Sequence, residues 1–293
     1  MGRECDTLRL MPNLKLRRKS DLSAFRKIAL GTWHTAYDPS VYGSLTLRME
    51  QAERYLDHFR RATGKRLTFS HMMAKAAAAA LQAMPDANAI LRLGGIYLRD
   101  RIGVFFQVAL EDAATGEIDL SGTTIFEPEQ KSLLDIVVEF EERTARVRGG
   151  SDRKEQARNL FRRTPSFAIG PLLEAVGFLG YTLNLDLERL GVPNDAFGSV
   201  MITNIGSLGL EEAYPPLVPY SRVPIVMAMG AVLDAPVVER GTVVPGRVMK
   251  VCATFDHRVL DGVHASVMVR TLRDWMEDPY RHFGPVPEES AAR

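Results

Sequence analysis

The stretch RVMKVCATFDHRVLDGVH, residues 247–264, is the most informative about the fold, because a strand pattern passes into a helix start within it. Apolar and other residues alternate over residues 249–255, which predicts a strand with one apolar face. Asp261 stands just before the apolar stripe of a helix that begins at about Gly262, and aspartate favours that position. The imidazole of His257 is therefore expected at the end of an apolar row, beside a helix start.

This junction is the strongest candidate for chemistry in the chain. Partial burial favours a neutral imidazole at His257, which is the form that a general base requires. A structural histidine and a helix-capping aspartate at Asp261 are the commoner reading of the same residues. A metal site made of His257, Asp261 and His264 is disfavoured, because no further cluster of Cys, His or acidic residues supports it. No GxSxG or GxGxxG pattern is present, so neither a serine hydrolase nor a dinucleotide site is predicted.

The rest of the chain alternates between strand and helix patterns. Strands are predicted at 44–50, 101–110, 118–126, 199–205, 223–232 and 247–256. Helices are predicted at 51–63, 71–84, 127–148 and from about 262 onwards. Ser70 is expected to cap the second helix and Pro85 to end it. This order predicts an α/β (α+β) fold with a mixed β-sheet flanked by helices.

Composition excludes several classes of protein. The 293 residues carry 37 basic and 36 acidic side chains, a balance that gives no sign of a nucleic-acid partner. The apolar stretch 167–183 is short and interrupted by Glu174, so we expect a buried or interface helix rather than a membrane span. With two cysteines, Cys5 and Cys252, a disulfide framework is excluded and a reducing cytoplasm is the expected location.

Several motifs, in order along the chain, resemble one enzyme family. DHRVLDG at 256–262 resembles the DHRxxDG signature of dihydrolipoyl acyltransferases, the cores of 2-oxo-acid dehydrogenase complexes, and the related HxxxDG of chloramphenicol acetyltransferases. Further similarity lies at 22–30, 101–140, 200–206 and 214–232. The resemblance covers roughly residues 20–285. It implies a flexible leader at 1–20, an acyltransferase catalytic domain at 21–285 and a flexible tail at 286–293.

The resemblance implies a trimer with the chloramphenicol acetyltransferase-like fold. It also implies a coenzyme A-dependent acyltransferase that moves an acyl group between a thioester, acyl-CoA or acyl-lipoyl, and an acceptor. His257 matches the general base, and Thr203 matches the hydroxyl residue that stabilises the oxyanion. Asp261 matches a residue that orders the loop through an arginine, for which Arg26 is the candidate.

Two further residues are predicted near the substrate by the same resemblance. Asn88 lies in a segment that is similar to a family FNA motif, and Gly262 allows close approach of the backbone. Both are expected to contact coenzyme A. No metal is expected.

The resemblance also sets expectations about partners. His257 is expected to face Thr203 of a neighbouring copy, and a larger assembly of trimers stays open. About 20 residues precede the similarity, too few for a lipoyl domain, so a lipoyl group is expected only if another chain supplies it. A lipoyl-bearing or dehydrogenase partner is then implied. Two alternatives remain: a catalytically silent trimeric scaffold or partner-binding core, and an antibiotic-modifying acetyltransferase that rests on HxxxDG alone.

Overall fold

The computed structural model describes residues 13–19, 39–111, 118–148 and 166–286. Its strands are β1 (Leu16–Arg18), β2 (Ser40–Arg48), β3 (Ala89–Arg92), β4 (Gly95–Arg99), β5 (Gly103–Glu111), β6 (Ile118–Phe126), β7 (Val200–Asn204), β8 (Ile225–Glu239) and β9 (Thr242–Asp256). Its α-helices are α1 (Glu50–Thr63), α2 (Phe69–Ala83), α3 (Leu133–Arg148), α4 (Ser166–Gly177), α5 (Gly262–Glu277) and α6 (Pro279–His282).

Six strands form the main sheet, in the order β2-β9-β8-β7-β5-β6. The β7 strand runs parallel to β5 and β8, whereas the other neighbouring pairs are antiparallel. A second sheet, β1-β4-β3, is antiparallel throughout. The mixed sheet and the predicted hairpin of β5 and β6 are confirmed.

One face of the main sheet carries the principal hydrophobic core. Helices α1, α2, α3 and α5 contribute their apolar sides to it. The alanines of α2 are almost entirely buried, so this helix lies close to both α5 and strands β5 and β7. We refer to this side of the sheet as the helix face.

The opposite side of the main sheet, here called the loop face, is covered differently. Phe105, Met201 and Val226 project from the strands and pack with residues before and after β7, namely Phe197, Leu217, Val218 and Val223. Residue alternation separates the two phenylalanines of β5, because Phe106 belongs to the helix-face core and Phe105 to the loop face. Both sides of β5 are therefore filled by aromatic rings.

Some predicted boundaries require correction. Ser70 is not the cap of α2, because Thr68 occupies that position and forms a reciprocal capping box with His71. The helix expected from residue 127 begins at Leu133, after a short 3₁₀ turn at Pro128–Gln130. The predicted C-terminus of α1 is confirmed, since Gly64 takes the left-handed conformation there, with φ of 66°.

Strands β8 and β9 are longer than the patterns predicted. Beyond Leu233 and Val248 they pair, within the described ranges, only with each other as far as Glu239 and Thr242, so they extend the sheet as a two-stranded arm. Pro236 and Pro245 lie opposite each other in this arm. Prolines are tolerated there because a ribbon has outer edges that need no hydrogen-bonded neighbour.

The apolar stretch 167–183 is helical but is not buried within the protomer. It forms most of α4 and a π-turn at Phe178–Thr182. Phe178, Leu179 and Leu183 are exposed, with 50% of the Phe178 surface accessible. The expectation of burial is therefore wrong for one chain, while an interface role stays a prediction. No helix in the described ranges is both long and apolar enough to cross a membrane.

The end of the predicted leader contains structure that the sequence did not indicate. Strand β1 pairs with β4, and the side chain of Asn13 donates a hydrogen bond of 3.0 Å to the Gly180 carbonyl. Residues 1–12 and 20–38, which include Arg26 and the motif at 22–30, lie outside the described residues. The proposed domain boundaries stay a prediction.

Candidate active site

The junction between β9 and α5 has the predicted local structure. Met249, Val251 and Phe255 face the principal core, and the strand ends at Asp256. The chain then turns, with the amide of Leu260 donating to the Asp256 carbonyl at 2.9 Å. His257 is half-buried in this turn, and its own amide donates to the carbonyl of Pro39 at 2.9 Å.

One hydrogen bond defines the chemistry of the His257 ring. Its Nδ1 lies 2.7 Å from the carbonyl oxygen of Leu260. A carbonyl oxygen only accepts, so Nδ1 must carry the proton and donate it. In the neutral ring, Nε2 then holds the lone pair. The local fold therefore presents Nε2 as the basic atom.

Asp261 is the N-cap of α5, as predicted. Its Oδ1 accepts hydrogen bonds from the amides of Val263 at 2.9 Å and His264 at 3.2 Å. The same oxygen lies 2.6 Å from Nδ1 of His264. On the far side of that ring, Nε2 of His264 is 4.0 Å from Oδ2 of Asp86, and Asp86 is paired with Lys19 at 2.9 Å. Asp261 is thus fixed at the helix start by three contacts.

The sequence interpretation did not assign a role to Arg258, the third residue of DHRVLDG. Its guanidinium donates two hydrogen bonds to the buried carboxylate of Asp256, from Nε to Oδ1 at 2.9 Å and from Nη2 to Oδ2 at 2.6 Å. The sequence signal that could have indicated this role is the pair of opposite charges, Asp256 and Arg258, two residues apart at the end of a strand. This pair fixes the turn that carries His257.

Thr203 lies near the end of β7, where the backbone turns tightly. Asn204 holds the turn, because its Oδ1 accepts the amide of Ser207 at 3.2 Å. A side chain on Gly206 would come within 2.5 Å of the Gly230 carbonyl on β8, so only glycine fits this approach. The hydroxyl of Thr203 makes no hydrogen bond to another described residue. It is half-buried and available.

His257 and Thr203 do not meet within one chain. Ile202 points into the helix-face core, so alternation places Thr203 on the loop face. Thr203 aligns through Ala228 with Cys252, five residues before His257. Five residues of strand rise about 17 Å, and two strand spacings add about 10 Å sideways. The two predicted catalytic groups are therefore well separated in the protomer.

The two residues predicted to contact coenzyme A, Asn88 and Gly262, differ in burial. Asn88 is buried, and its Nδ2 donates to the carbonyls of Arg99 and Arg101, both at 3.3 Å. Its amide nitrogen thus holds the end of β4 and the turn that leads into β5. Gly262 is exposed at the start of α5, and a side chain there would meet nothing within 4 Å. Its missing side chain is not required by the packing of its own chain.

A metal centre finds no support at this junction. Within the described residues, no three His, Cys, Asp or Glu side chains are grouped to hold a metal ion. The free thiol of Cys252 is buried on the loop face, away from the junction. Arg26, the candidate partner of Asp261, lies outside the described residues.

The catalytic-domain profile of the 2-oxoacid dehydrogenases acyltransferase family matches residues 192–283. These residues include both VMITNIG and DHRVLDG. This region of the chain is therefore similar to the catalytic domain of that acyltransferase family. The recognition made from the motifs is confirmed.

Similar acyltransferases extend the match beyond that region. The chain is 24% identical over 216 residues to the dihydrolipoyllysine-residue acetyltransferase component of an acetoin cleaving system from Bacillus subtilis, covering 74% of this chain and 43% of that protein. It is 25% identical over 237 residues to a mitochondrial succinyltransferase component of an Arabidopsis thaliana 2-oxoglutarate dehydrogenase complex, covering 81% and 41%. The chain thus spans less than half the length of these relatives.

Solved acyltransferase structures confirm the fold. A probable dihydrolipoamide acetyltransferase from Listeria monocytogenes superposes with a TM-score of 0.61 at 17% identity, covering 94% of this chain and 98% of that one. The cubic core of a pyruvate dehydrogenase multienzyme complex gives the same TM-score and identity, covering 90% and 93%. The predicted α/β class and mixed sheet are therefore correct.

Proposed function

We propose that the chain is an acyltransferase that moves an acyl group between coenzyme A and a thiol acceptor such as dihydrolipoamide. The observation that carries this proposal is the hydrogen bond from Nδ1 of His257 to the Leu260 carbonyl, which leaves Nε2 as a base. The family profile covers the same residues. The acetyl- and succinyltransferase names of the relatives support acyl transfer as the reaction class.

The chemistry requires one proton acceptor and one oxyanion donor. Nε2 of His257 takes the proton from the attacking thiol, and the thiolate sulfur forms a bond to the carbonyl carbon of the acyl thioester. The hydroxyl of Thr203 donates to the oxygen that becomes negative. The original C–S bond then breaks, and the leaving thiolate takes the proton back from His257. A positioned base contributes about 10²–10⁴-fold to such a reaction.

We propose that the site is completed by a second copy in a trimer. His257 and Thr203 of one chain lie on opposite faces of the sheet and far apart along it. A neighbouring copy that presents its loop face to the junction would supply the missing hydroxyl. A closed ring of three such contacts is a common symmetry for heterologous interfaces.

Further assignments belong to the same proposal. Coenzyme A is a substrate, and its thiol approaches beside the open backbone of Gly262. Asn88 supports the site by holding the backbone after β4 with its amide nitrogen, rather than by donating that nitrogen to coenzyme A. A lipoyl group is supplied by another polypeptide or domain, and larger assemblies of trimers are compatible with the fold. A reducing cytoplasm suits substrates that are thiols.

The direct test is a thiol-release assay. The protein is incubated with acetyl-, butyryl- or succinyl-coenzyme A and dihydrolipoamide, and free coenzyme A is followed. We expect turnover by the native chain and a loss of about 10²–10⁴-fold in kcat for His257→Ala. His58→Ala is the matched control, since His58 is exposed on α1, and it should retain full activity.

Two results would count against the proposal. Activity that persists unchanged in His257→Ala would remove this residue from the reaction. A correctly folded trimer with no turnover on any donor would instead favour the silent scaffold, the alternative predicted from sequence.

A further inference from the structure

An apolar cavity of about 100 Å³ lies between the main sheet and helix α5. Its sheet wall includes Gly43 of β2, Met227 of β8 and Ala253 of β9. Its helix wall includes Ala265 and Met268 of α5. The cavity therefore occupies the helix face, directly under the strand that leads to His257.

The cavity and the candidate base share parts of the structure. Phe255, two residues before His257, lines the cavity, and so does Leu260. The carbonyl of Leu260 is the group that binds Nδ1 of the His257 ring at 2.7 Å. A group that enters the cavity from the reacting carbon would thus lie against the same turn that holds the base.

The lining selects a class of ligand. Ser44 is the only polar residue among those that line the cavity in the described part of the chain, and none is charged. An ionised carboxylate would lose its hydration there without a partner, which is costly. An aliphatic chain gains from leaving water, by about fourfold in affinity for each buried methylene.

The volume limits the length of that chain. An apolar cavity of about 150 Å³ is large enough to hold benzene. This cavity is therefore suited to a short aliphatic tail and too small for a long fatty acyl chain.

We propose that this cavity is an acyl-chain pocket and that the enzyme prefers a short apolar acyl group, such as butyryl, over a dicarboxylic one. This assignment rests on the proposed acyltransferase function and specifies its substrate. Small residues create the space, since Gly43, Ala253 and Ala265 all border it. A side-chain carbon on Gly43 would lie 3.9 Å from the Phe255 ring and meet no other atom within 4 Å.

The test compares donors that differ at one position. Butyryl- and succinyl-coenzyme A have equally long acyl chains, but the terminal methyl of one is a carboxylate in the other. With dihydrolipoamide as acceptor, we expect kcat/KM for butyryl to exceed that for succinyl by about 100-fold or more. It should exceed that for acetyl by about tenfold, because two further carbons are buried.

Two variants fill the cavity from opposite walls. Ala265→Leu and Gly43→Val should each lower kcat/KM for butyryl about tenfold or more and leave acetyl within about twofold. Arg270→Leu is the control, because it adds leucine at an exposed position of the same helix. Thermal unfolding verifies that each variant is folded. If one of the two cavity variants does not fold, the other is sufficient for the test.

The outcomes separate this assignment from the proposed function. Normal turnover with equal kcat/KM for the three donors, or a loss in the filled variants that is equal for acetyl and butyryl, would overturn the pocket alone. A preference for succinyl would overturn it too. No turnover with any donor would contradict the acyltransferase function and, with it, this use of the cavity.

Discussion

The two faces of the main sheet differ in how they are covered and in what they contribute to the site. In the described part of the chain, four helices pack on the helix face, and the row of β9 that leads to His257 belongs to it. The loop face carries a smaller cluster around Phe105, Met201 and Val226, covered by irregular segments, and it holds Thr203. The residues proposed as base and as oxyanion donor are thus placed on opposite sides of one sheet.

This difference explains why one chain is not sufficient for the proposed reaction. A β-sheet cannot bring its two faces together, because successive side chains point in opposite directions. The strand that carries Thr203 is followed by the close approach of Gly206 to β8, and the turn that carries His257 is held by the pair of Arg258 and Asp256. In the proposed reaction, the site is therefore completed by the sheet of a second copy.

The largest expected difference between the two faces is a loss of activity in Thr203→Val, on the loop face. Removal of one oxyanion donor should lower kcat by about 10²–10³-fold. KM should change little, because the hydroxyl acts mainly in the transition state. Steady-state kinetics with dihydrolipoamide measure both quantities.

Thr203→Ser is the control for that prediction, since it keeps the hydroxyl and should recover most of the activity. Equal losses in Thr203→Ser and Thr203→Val would indicate that the methyl group, and hence packing of the loop face, is what matters.

A second effect is confined to the helix face and depends on pH. His71 is buried against Phe106 and Phe140, and burial lowers its pKa to about 4. An unfolded histidine has a pKa of about 6.5, so the unfolded chain binds a proton first as the pH falls. The free energy of unfolding should decrease by about 3 kcal/mol between pH 6.5 and pH 4 and be independent of this group above pH 7.

Urea denaturation at fixed protein concentration over this pH range tests that expectation. His71→Gln keeps an acceptor for the capping box with Thr68 but does not titrate. The native chain should lose about 3 kcal/mol more than the variant between the two pH values. If the free energy of unfolding changes with pH equally in the two proteins, protonation of His71 does not destabilise the folded chain.

The smallest effect is expected at the end of the helix face, in Asp261→Ala. The loss of an N-cap typically costs about 1 kcal/mol. Asp261→Ser keeps a capping oxygen and should restore most of that stability. Thermal unfolding at one protein concentration compares the three proteins, and an unchanged midpoint in Asp261→Ala would show that the cap contributes nothing.

The sequence predicted the helix face better than the loop face. The strand row ending at Phe255 and the Asp261 cap follow from periodicity and capping rules, because both depend on neighbouring residues. Thr203 is a β-branched residue in a strand, and only resemblance to a family distinguished it from a packing residue. The distance between Thr203 and His257 depends on the order of the strands in the sheet, and local sequence patterns do not reveal that order.

Other differences between sequence and structure have local causes. Thr68 caps α2 instead of Ser70. The sequence did not indicate this, because the partner in the capping box is His71 rather than the usual glutamate or glutamine. The arm of β8 and β9 was missed because Pro236 and Pro245 suggest loops. The exposed π-turn at 178–182 shows that apolar composition alone does not establish burial.

The most direct test of a site shared between the two faces is mixing of subunits. His257→Ala and Thr203→Val, each nearly inactive, are unfolded together in equal amounts and refolded, and native mass measurement verifies mixed trimers. If the site joins His257 of one copy to Thr203 of another, random mixing leaves about a quarter of the sites intact, and about a quarter of native activity should return. Mixed trimers whose activity stays at the level of the separate variants would contradict the account.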